Sequence, residues 1–474
     1  MSQSTPFTPF SRRGFLVAGC AGLGLTLPEM LRAEAATKTL AGASGSPGSQ
    51  SPSSRSVINI HLDGGPPQMD MIDPKPDAPR EIRGEFSPIS TKIPGLQVGE
   101  LLPKIASVAD RFAFIRSLVG ADGRHDAFQC QSGFKTKNLK SLGGRPAMGS
   151  IVSKLRGSSA DPAPSFVDLM QGRPLVRNSA RPGFLGPSFG PFRPDMSKHF
   201  SRPLEDGMKK ELARLGHHHS TSMTLSEGLT SKRVKERAKL LAGLDRYQRE
   251  LDASGQMLAL DRFNEQAVSI LTSGHFAEAI DLSRCSEREL AHYRLPKEPR
   301  GQQLTSDTAK ATLKLLLARR LVDAGVRCVS VSLSDFDTHS NNYPRMRHLL
   351  PIVDHAIWAL ITDLEERGTL NDVSIVIWGE FGRTPKVNSK NGGRDHWPSV
   401  GMAMLAGGGM NVGQVIGRTD RFAGEATDRP VSYQDVFATL YQTIGIDASQ
   451  TTILDPSGRP QYLLEHGTPI SELV

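Results

Sequence analysis

Cysteine is scarce, with four in 474 residues at positions 20, 130, 285 and 328. Spacings this wide provide neither a disulfide framework nor the paired thiolates of a zinc finger. Cys328 lies in Arg327-Cys-Val-Ser-Val-Ser-Leu333 and reads as a core residue, whereas Cys130, close to His125, has a second reading as a nucleophile. Long apolar runs are missing too. Phe15–Leu27 is too short to span a bilayer, and no later run is longer, so a stable membrane span is excluded. Acidic residues are outnumbered by basic ones, 49 to 57, for a formal charge of +8. The first 35 residues hold three Arg and two Glu, so most of that surplus belongs to the body of the chain. No aromatic-interleaved basic motif accompanies it, which argues against nucleic acid and leaves an anionic surface or substrate.

What is present is a repeated device: an apolar strand that ends in an acidic residue beside glycine. Val373-Ser-Ile-Val-Ile-Trp378 reads as a buried strand of a parallel sheet, and it delivers Glu380 between Gly379 and Gly382. Val57-Ile-Asn-Ile-His-Leu62 ends in Asp63-Gly-Gly-Pro-Pro67, where Asp63 is either a turn cap or a presented ligand. The strand 327–333 runs into Ser334-Asp-Phe-Asp-Thr-His339; in extended chain Asp337 and His339 point the same way and can share an ion. Asp395 and His396 follow in a polar loop. Open α/β sheets bind ligands beyond the carboxyl ends of their strands, and carboxylates with imidazoles there form a divalent metal site. Asp63, Asp337, His339, Glu380 and His396 are therefore the candidate metal ligands.

Helical spacing over Glu100–Arg111, Leu304–Gly325, Tyr343–Arg367 and Val431–Gly445 alternates with strands at 57–62, 112–118, 327–333, 373–378 and 401–406. The loop after residue 118 offers His125, Asp126, Cys130 and Ser132 on the same edge. Residues 157–205 read as an irregular surface excursion and 205–294 as charged, mostly helical sequence. Residues 170–300 are accordingly expected to be an insertion or cap, with His217-His-His219 in an exposed loop. Residues 36–55, rich in Ser, Gly and Pro, read as a flexible tether.

Ser11-Arg-Arg-Gly-Phe-Leu16, the short apolar stretch after it and Ala33-Glu-Ala35 before Ala36 resemble a twin-arginine export signal with its cleavage site. That resemblance implies passage of the folded chain through the twin-arginine translocase and a periplasmic or secreted location. Asp63-Gly-Gly-Pro, Gly144-Arg-Pro-Ala-Met-Gly149, Asp337-Thr-His339, Gly379-Glu-Phe-Gly-Arg-Thr-Pro385, Gly393-Arg-Asp-His-Trp-Pro398 and Ala406-Gly-Gly-Gly-Met, in that order, resemble the secreted bacterial family called domain of unknown function 1501. The likeness covers roughly residues 55–465. This family in turn looks like a branch of the alkaline phosphatase and sulfatase superfamily.

The resemblance implies an alkaline phosphatase-like three-layer α/β sandwich over residues 56–474, with a mostly parallel sheet, a helical insertion and two divalent metals. It also implies hydrolysis of phosphate or sulfate esters. The superfamily's first-strand aspartate matches Asp63, its central pair Asp337 and His339, and its late histidine His396. Where it carries an adjacent Asp-His pair, this chain has Glu380 and Phe381, so one imidazole is missing or comes from elsewhere, with His125 a candidate. The sulfatase pattern Cys-x-Pro-x-Arg is absent around Cys130, which leaves Ser132 as the hydroxyl in the loop where the nucleophile belongs.

The candidate catalytic residues are thus Ser132, His125 and Arg383. Arg383, like Arg394, has two readings: clasping a tetrahedral oxyanion, or pairing with a carboxylate at the strand end. Mixed carboxylate and imidazole ligands suit Zn or Mn, and an all-carboxylate half-site suits Ca or Mg. The expected substrate is an anionic ester or a sulfated polysaccharide, the latter through the basic segment 200–250. The competing reading is a non-catalytic exported binding or scaffold protein that keeps the fold.

Overall fold

The structure, a computed structural model, describes residues 56–158, 161–172, 180–196, 199–200, 210, 274–303 and 307–474. The export signal, the tether, His217–His219, all but residues 200 and 210 of the basic segment 200–250 and most of the expected insertion 170–300 lie outside the described residues.

The body is a mixed α/β sandwich around one sheet of eight described strands. In chain order these are β1 (Ser56–Asp63), β2 (Phe112–Val119), β3 (Phe166–Leu169), β4 (Cys328–Ser334), β5 (Val373–Trp378), β6 (Gly401–Gly407), β7 (Gln414–Ile416) and β8 (Val431–Ser432). Across the sheet they run β7-β2-β6-β5-β1-β4-β3, with β8 also on β2. β1 lies at the centre, parallel to β4 on one side and β5 on the other, with Asp63 level with Ser334 and His61 level with Trp378. Only β6 among these strands runs antiparallel to its neighbours.

Two features depart from the sequence reading. An apolar run such as Gly401–Ala406 carries no mark of its direction, and β6 is inverted. Phe166–Leu169, inside the stretch expected to be irregular, is a fully buried parallel edge strand whose alternation is too short to stand out between prolines and glycines.

Alternation along the strands builds the layers. On β1, Ile58, Ile60 and Leu62 face a core shared with the helices α2 (Leu313–Asp323) and α3 (Asn342–Glu366). Val57 turns to the other core, with Val376 and Trp378 of β5, and is covered by α1 (Met148–Arg156) and α4 (Tyr433–Thr443). The period of two in a strand puts Asn59, His61 and Asp63 on Val57's side. The second core thus takes in a row of polar groups that ends at the sheet's rim. Phe276, Ala279, Leu282 and Tyr293 join the first core, so this part of the presumed insertion belongs to the packed body.

Candidate metal centre

Four strands deliver the site. β1 ends in His61 and Asp63, and the loop after β4 carries Asp337 and His339. Glu380 follows β5, and the loop after β2 carries His125. A two-residue ladder, Gly382–Arg383 against His396–Trp397, folds His396 back over the rim. The five expected ligands therefore converge, and they do so in two groups. His61, Asp63 and Glu380 are buried together, and His125, Asp337, His339 and His396 form the second, more open group. Within each, one candidate ligand atom per residue lies within 4.8 Å of the others.

Glycine is what lets the strand ends come this close. Gly64 has φ +111°, and its N–H donates to Glu380 at 3.0 Å. A Cβ there would run into the backbone N of Asp337, so the residue after Asp63 has to be glycine.

The second group is organised around the Asp337 carboxylate. The Nε2 atoms of His125, His339 and His396 lie 3.1, 3.1 and 3.6 Å from its oxygens. The opposite ring nitrogen of each histidine has its own anchor. Nδ1 of His125 meets Glu380 at 3.0 Å, Nδ1 of His339 meets Asp395 at 2.6 Å, and Nδ1 of His396 meets the Gly123 carbonyl at 3.2 Å. An acceptor on Nδ1 fixes the tautomer that leaves Nε2 free, the arrangement found behind metal-bound histidines. Nε2 of His339 and Nε2 of His396 also face each other at 3.0 Å, where a shared cation suits both lone pairs. Phe381 stacks on the His396 ring at 4.4 Å between centroids and fixes its plane.

The first group contains the clearest sign of a missing partner. The His61 side chain is 1% exposed, and Glu380 lies 3.5 Å away. Neither of its ring nitrogens has a hydrogen bond. Leaving such a buried polar group unsatisfied costs about 1–3 kcal/mol, a cost that a cation held with Asp63 and Glu380 would remove. A divalent ion therefore fits the residues present in both groups.

Charge points the same way. Burial opposes ionisation of Asp337, but His125, His396 and Arg383 outweigh it and hold the carboxyl far below the usual carboxylate range. Glu380 is also fully buried, and His125 and His61 nonetheless push it down. Burial disfavours the charged form of His125, yet hydrogen bonds to Asp337 and Glu380 raise it to about 9. His125 is the tie between the two groups, touching a carboxylate of each.

The catalytic expectations fare differently. Ser132 is committed to its own turn: its hydroxyl donates to the Phe128 carbonyl at 2.8 Å and accepts from Phe134 N–H at 3.1 Å. These bonds tie the hydroxyl to its own turn, and neither joins it to the metal-ligand groups. Cys130 is buried, and desolvation pushes its thiol well above the ordinary value, so the thiolate reading fails as well.

Arg383 is fully buried and held by the protein. It donates to the carbonyls of Gly64, Gly65 (3.1 Å) and Arg394 (2.9 Å) and pairs with Asp337 at 2.8 Å. The carboxylate partner of its second reading is present, and four of its five N–H donors are engaged within the protein. Arg394 is equally buried, bidentate to Asp70 and bonded to the carbonyls of Thr384, Pro385 and Ile82. The resemblance left one imidazole unplaced, and two now fill the rim. His125 was a candidate; His61 was missed. Its signal was available, since His61 and Asp63 are two apart on one strand, the same spacing that marked Asp337 and His339.

With sequence order, strand ends and ligand set in place, the assignment is direct. The chain belongs to the DUF1501 family. The match, to a family described as a protein of unknown function, spans residues 54–474. No curated protein is matched. Among solved structures, the chain is similar to the PsFucS1 sulfatase from Pseudoalteromonas sp., at 13% identity and a TM-score of 0.36, covering 87% of this chain and 71% of that one. It is also similar to the phosphonate monoester hydrolase of Agrobacterium radiobacter, at 14% identity and a TM-score of 0.29, covering 82% and 74%. The phosphonate monoester hydrolase SpPMH from Silicibacter pomeroyi matches at 11% identity and a TM-score of 0.32, covering 84% and 73%.

Proposed function

We propose that this DUF1501 chain is an exported, metal-dependent hydrolase of phosphate or sulfate esters. The observation that carries the reading is the convergence of three imidazole Nε2 atoms on Asp337, each ring anchored from behind, beside a buried histidine whose ring nitrogens make no hydrogen bond. His125, Asp337, His339 and His396 would hold one divalent ion, with Zn or Mn favoured by the imidazoles, and His61, Asp63 and Glu380 a second. When bound, such ions polarise an ester oxygen and make a water or hydroxyl nucleophilic near neutral pH.

The remaining work falls to the chain's own groups. Arg383 holds Asp337 against the turn at Gly64 and Gly65, so the two strand ends keep their spacing. Asp395 and the Gly123 carbonyl keep the protons of His339 and His396 on Nδ1. Since the Ser132 hydroxyl is committed elsewhere, the attacking oxygen is assigned to water. Export through the twin-arginine translocase, as a folded and loaded protein, belongs to the same reading.

The test is turnover by purified, metal-loaded protein on aryl phosphates, phosphonates and sulfates. Hydrolysis that is lost in Glu380→Ala and retained in Ser132→Ala supports the proposal. No turnover on any of the three ester classes, with metal bound, would leave the scaffold reading standing instead.

A further inference from the structure

On the same rim as the metal centre, a cleft of about 270 Å³ opens where β2 and β8 end. Val119, Gly120 and Ser432 form its floor, and Lys135, Lys137 and His466 stand among its walls. The cleft and the centre share backbone on two sides. Tyr433 lines the cleft and donates its hydroxyl to the Gly379 carbonyl at 2.9 Å, one residue before Glu380. Gly120 lines it too, and the loop it begins continues to Gly123 and His125, both part of the centre.

The charge of the cleft is unbalanced. Its acidic wall residue, Glu465, lies 3.5 Å from Arg145, which offsets its charge. Lys135 and Lys137 make no ion pair with any described residue. The start of α4 also meets the cleft, but Ser432 and Asp435 already cap it through a reciprocal pair of hydrogen bonds. The free positive charge is therefore that of two lysine side chains, which as flexible point charges suit a phosphate or sulfate group without demanding one geometry.

We propose that this cleft is a subsite for a second phosphate or sulfate group of the substrate, held by Lys135 and Lys137. The natural ester would then carry at least two such groups, one at the metal centre and one in the cleft. This deepens the reading of the centre as an ester hydrolase and rests on it for the word substrate; the cleft's own affinity does not depend on the metals.

Titration calorimetry on the full-length protein tests it, with a disulfated disaccharide, a sugar bisphosphate and the singly charged counterpart of each. The expected result is that wild type binds a doubly charged probe roughly tenfold or more tighter than its counterpart, as one added charge-assisted contact allows. Lys135→Gln/Lys137→Gln, with metal content and circular dichroism unchanged, should lose that preference. The probe with the larger preference tells sulfate from phosphate, and equal preferences assign a site for either. No preference in wild type, or an undiminished one in the lysine variant, overturns the subsite. If preference is intact but no ester is turned over, the hydrolase reading fails and the anion site stands.

Discussion

Arg394→Ala is the substitution for which the structure sets the sharpest magnitude. The guanidinium is 0% exposed and grips Asp70, also 0% exposed, through two contacts of 3.1 Å each. Asp70 has Asn342 as a further donor, at 2.8 Å, and Arg394 serves three backbone carbonyls besides. Removing the arginine leaves a carboxylate buried with one neutral donor, and breaking such a pair costs about 3–5 kcal/mol. By contrast, Arg284→Ala breaks a pair with Glu278 whose members are 59% and 52% exposed, and should cost less than about 1 kcal/mol.

Urea unfolding followed by the fluorescence of the three tryptophans measures both variants. The double variant Asp70→Asn/Arg394→Met, which leaves no buried charge, should recover part of the loss. Arg394 directly precedes Asp395 and His396, so the single variant should also weaken metal binding while leaving Glu380 in place. A loss under about 1 kcal/mol with metal content unchanged would refute the strut. If the variant instead raised KM for an anionic ester at full stability, Arg394 would be an oxyanion ligand after all.

His61→Leu should abolish the cation of the first group yet raise the urea midpoint of the metal-free protein, since it removes two unsatisfied buried nitrogens worth about 1 kcal/mol or more; a large destabilisation would show that the ring is satisfied without metal. Burial pushes the Cys328 thiol up to about 12, so only roughly one molecule in ten thousand is thiolate at pH 8. A disulfide thiol reagent should modify Cys285 first and leave Cys130 and Cys328 until unfolding, and fast labelling of either would contradict their placement. Burial raises Asp354 to about 7 against the pull of two helix-end N–H groups. Its unfolded value is near 4, so the unfolded chain sheds this proton first and wild-type stability falls as pH rises from about 4 to 7, by roughly 4 kcal/mol over the window. Asp354→Asn should flatten that slope in urea midpoints taken at pH 5 and pH 7.5; an unchanged slope would place the carboxyl in solvent.

All but one of the ligands legible in the sequence share one feature: each follows an apolar strand and adjoins glycine or another ligand type, whereas His396 stood out in a polar loop beside Asp395. Asp63, Glu380 and the pair Asp337 and His339 announce themselves because a charged group at the end of a buried run has to face the sheet's rim. His61 was passed over although it stands two residues before Asp63, because a histidine within an apolar strand also reads as a core residue. Its lack of a partner depends on β5 and on Glu380, far along the chain. Arg383 and Arg394 stood open between two roles for a similar reason. Much of their engagement comes from the carbonyls of Gly64, Gly65 and Ile82, about three hundred residues away, which no local spacing encodes. Ser132 lies in the loop where it was expected, and a four-residue helical turn engages its hydroxyl, a local bond that residue spacing did not show.

Everything rests on a cation gripped by carboxylates and imidazoles that the fold gathers from four strand ends. Elemental analysis of the purified chain, loaded with Zn or Mn and then desalted, measures this directly. One or two equivalents per chain are expected, with stoichiometric loss in Asp337→Ala and in His396→Ala. A folded wild-type protein that retains no metal, or variants that retain all of it, would contradict the assignment.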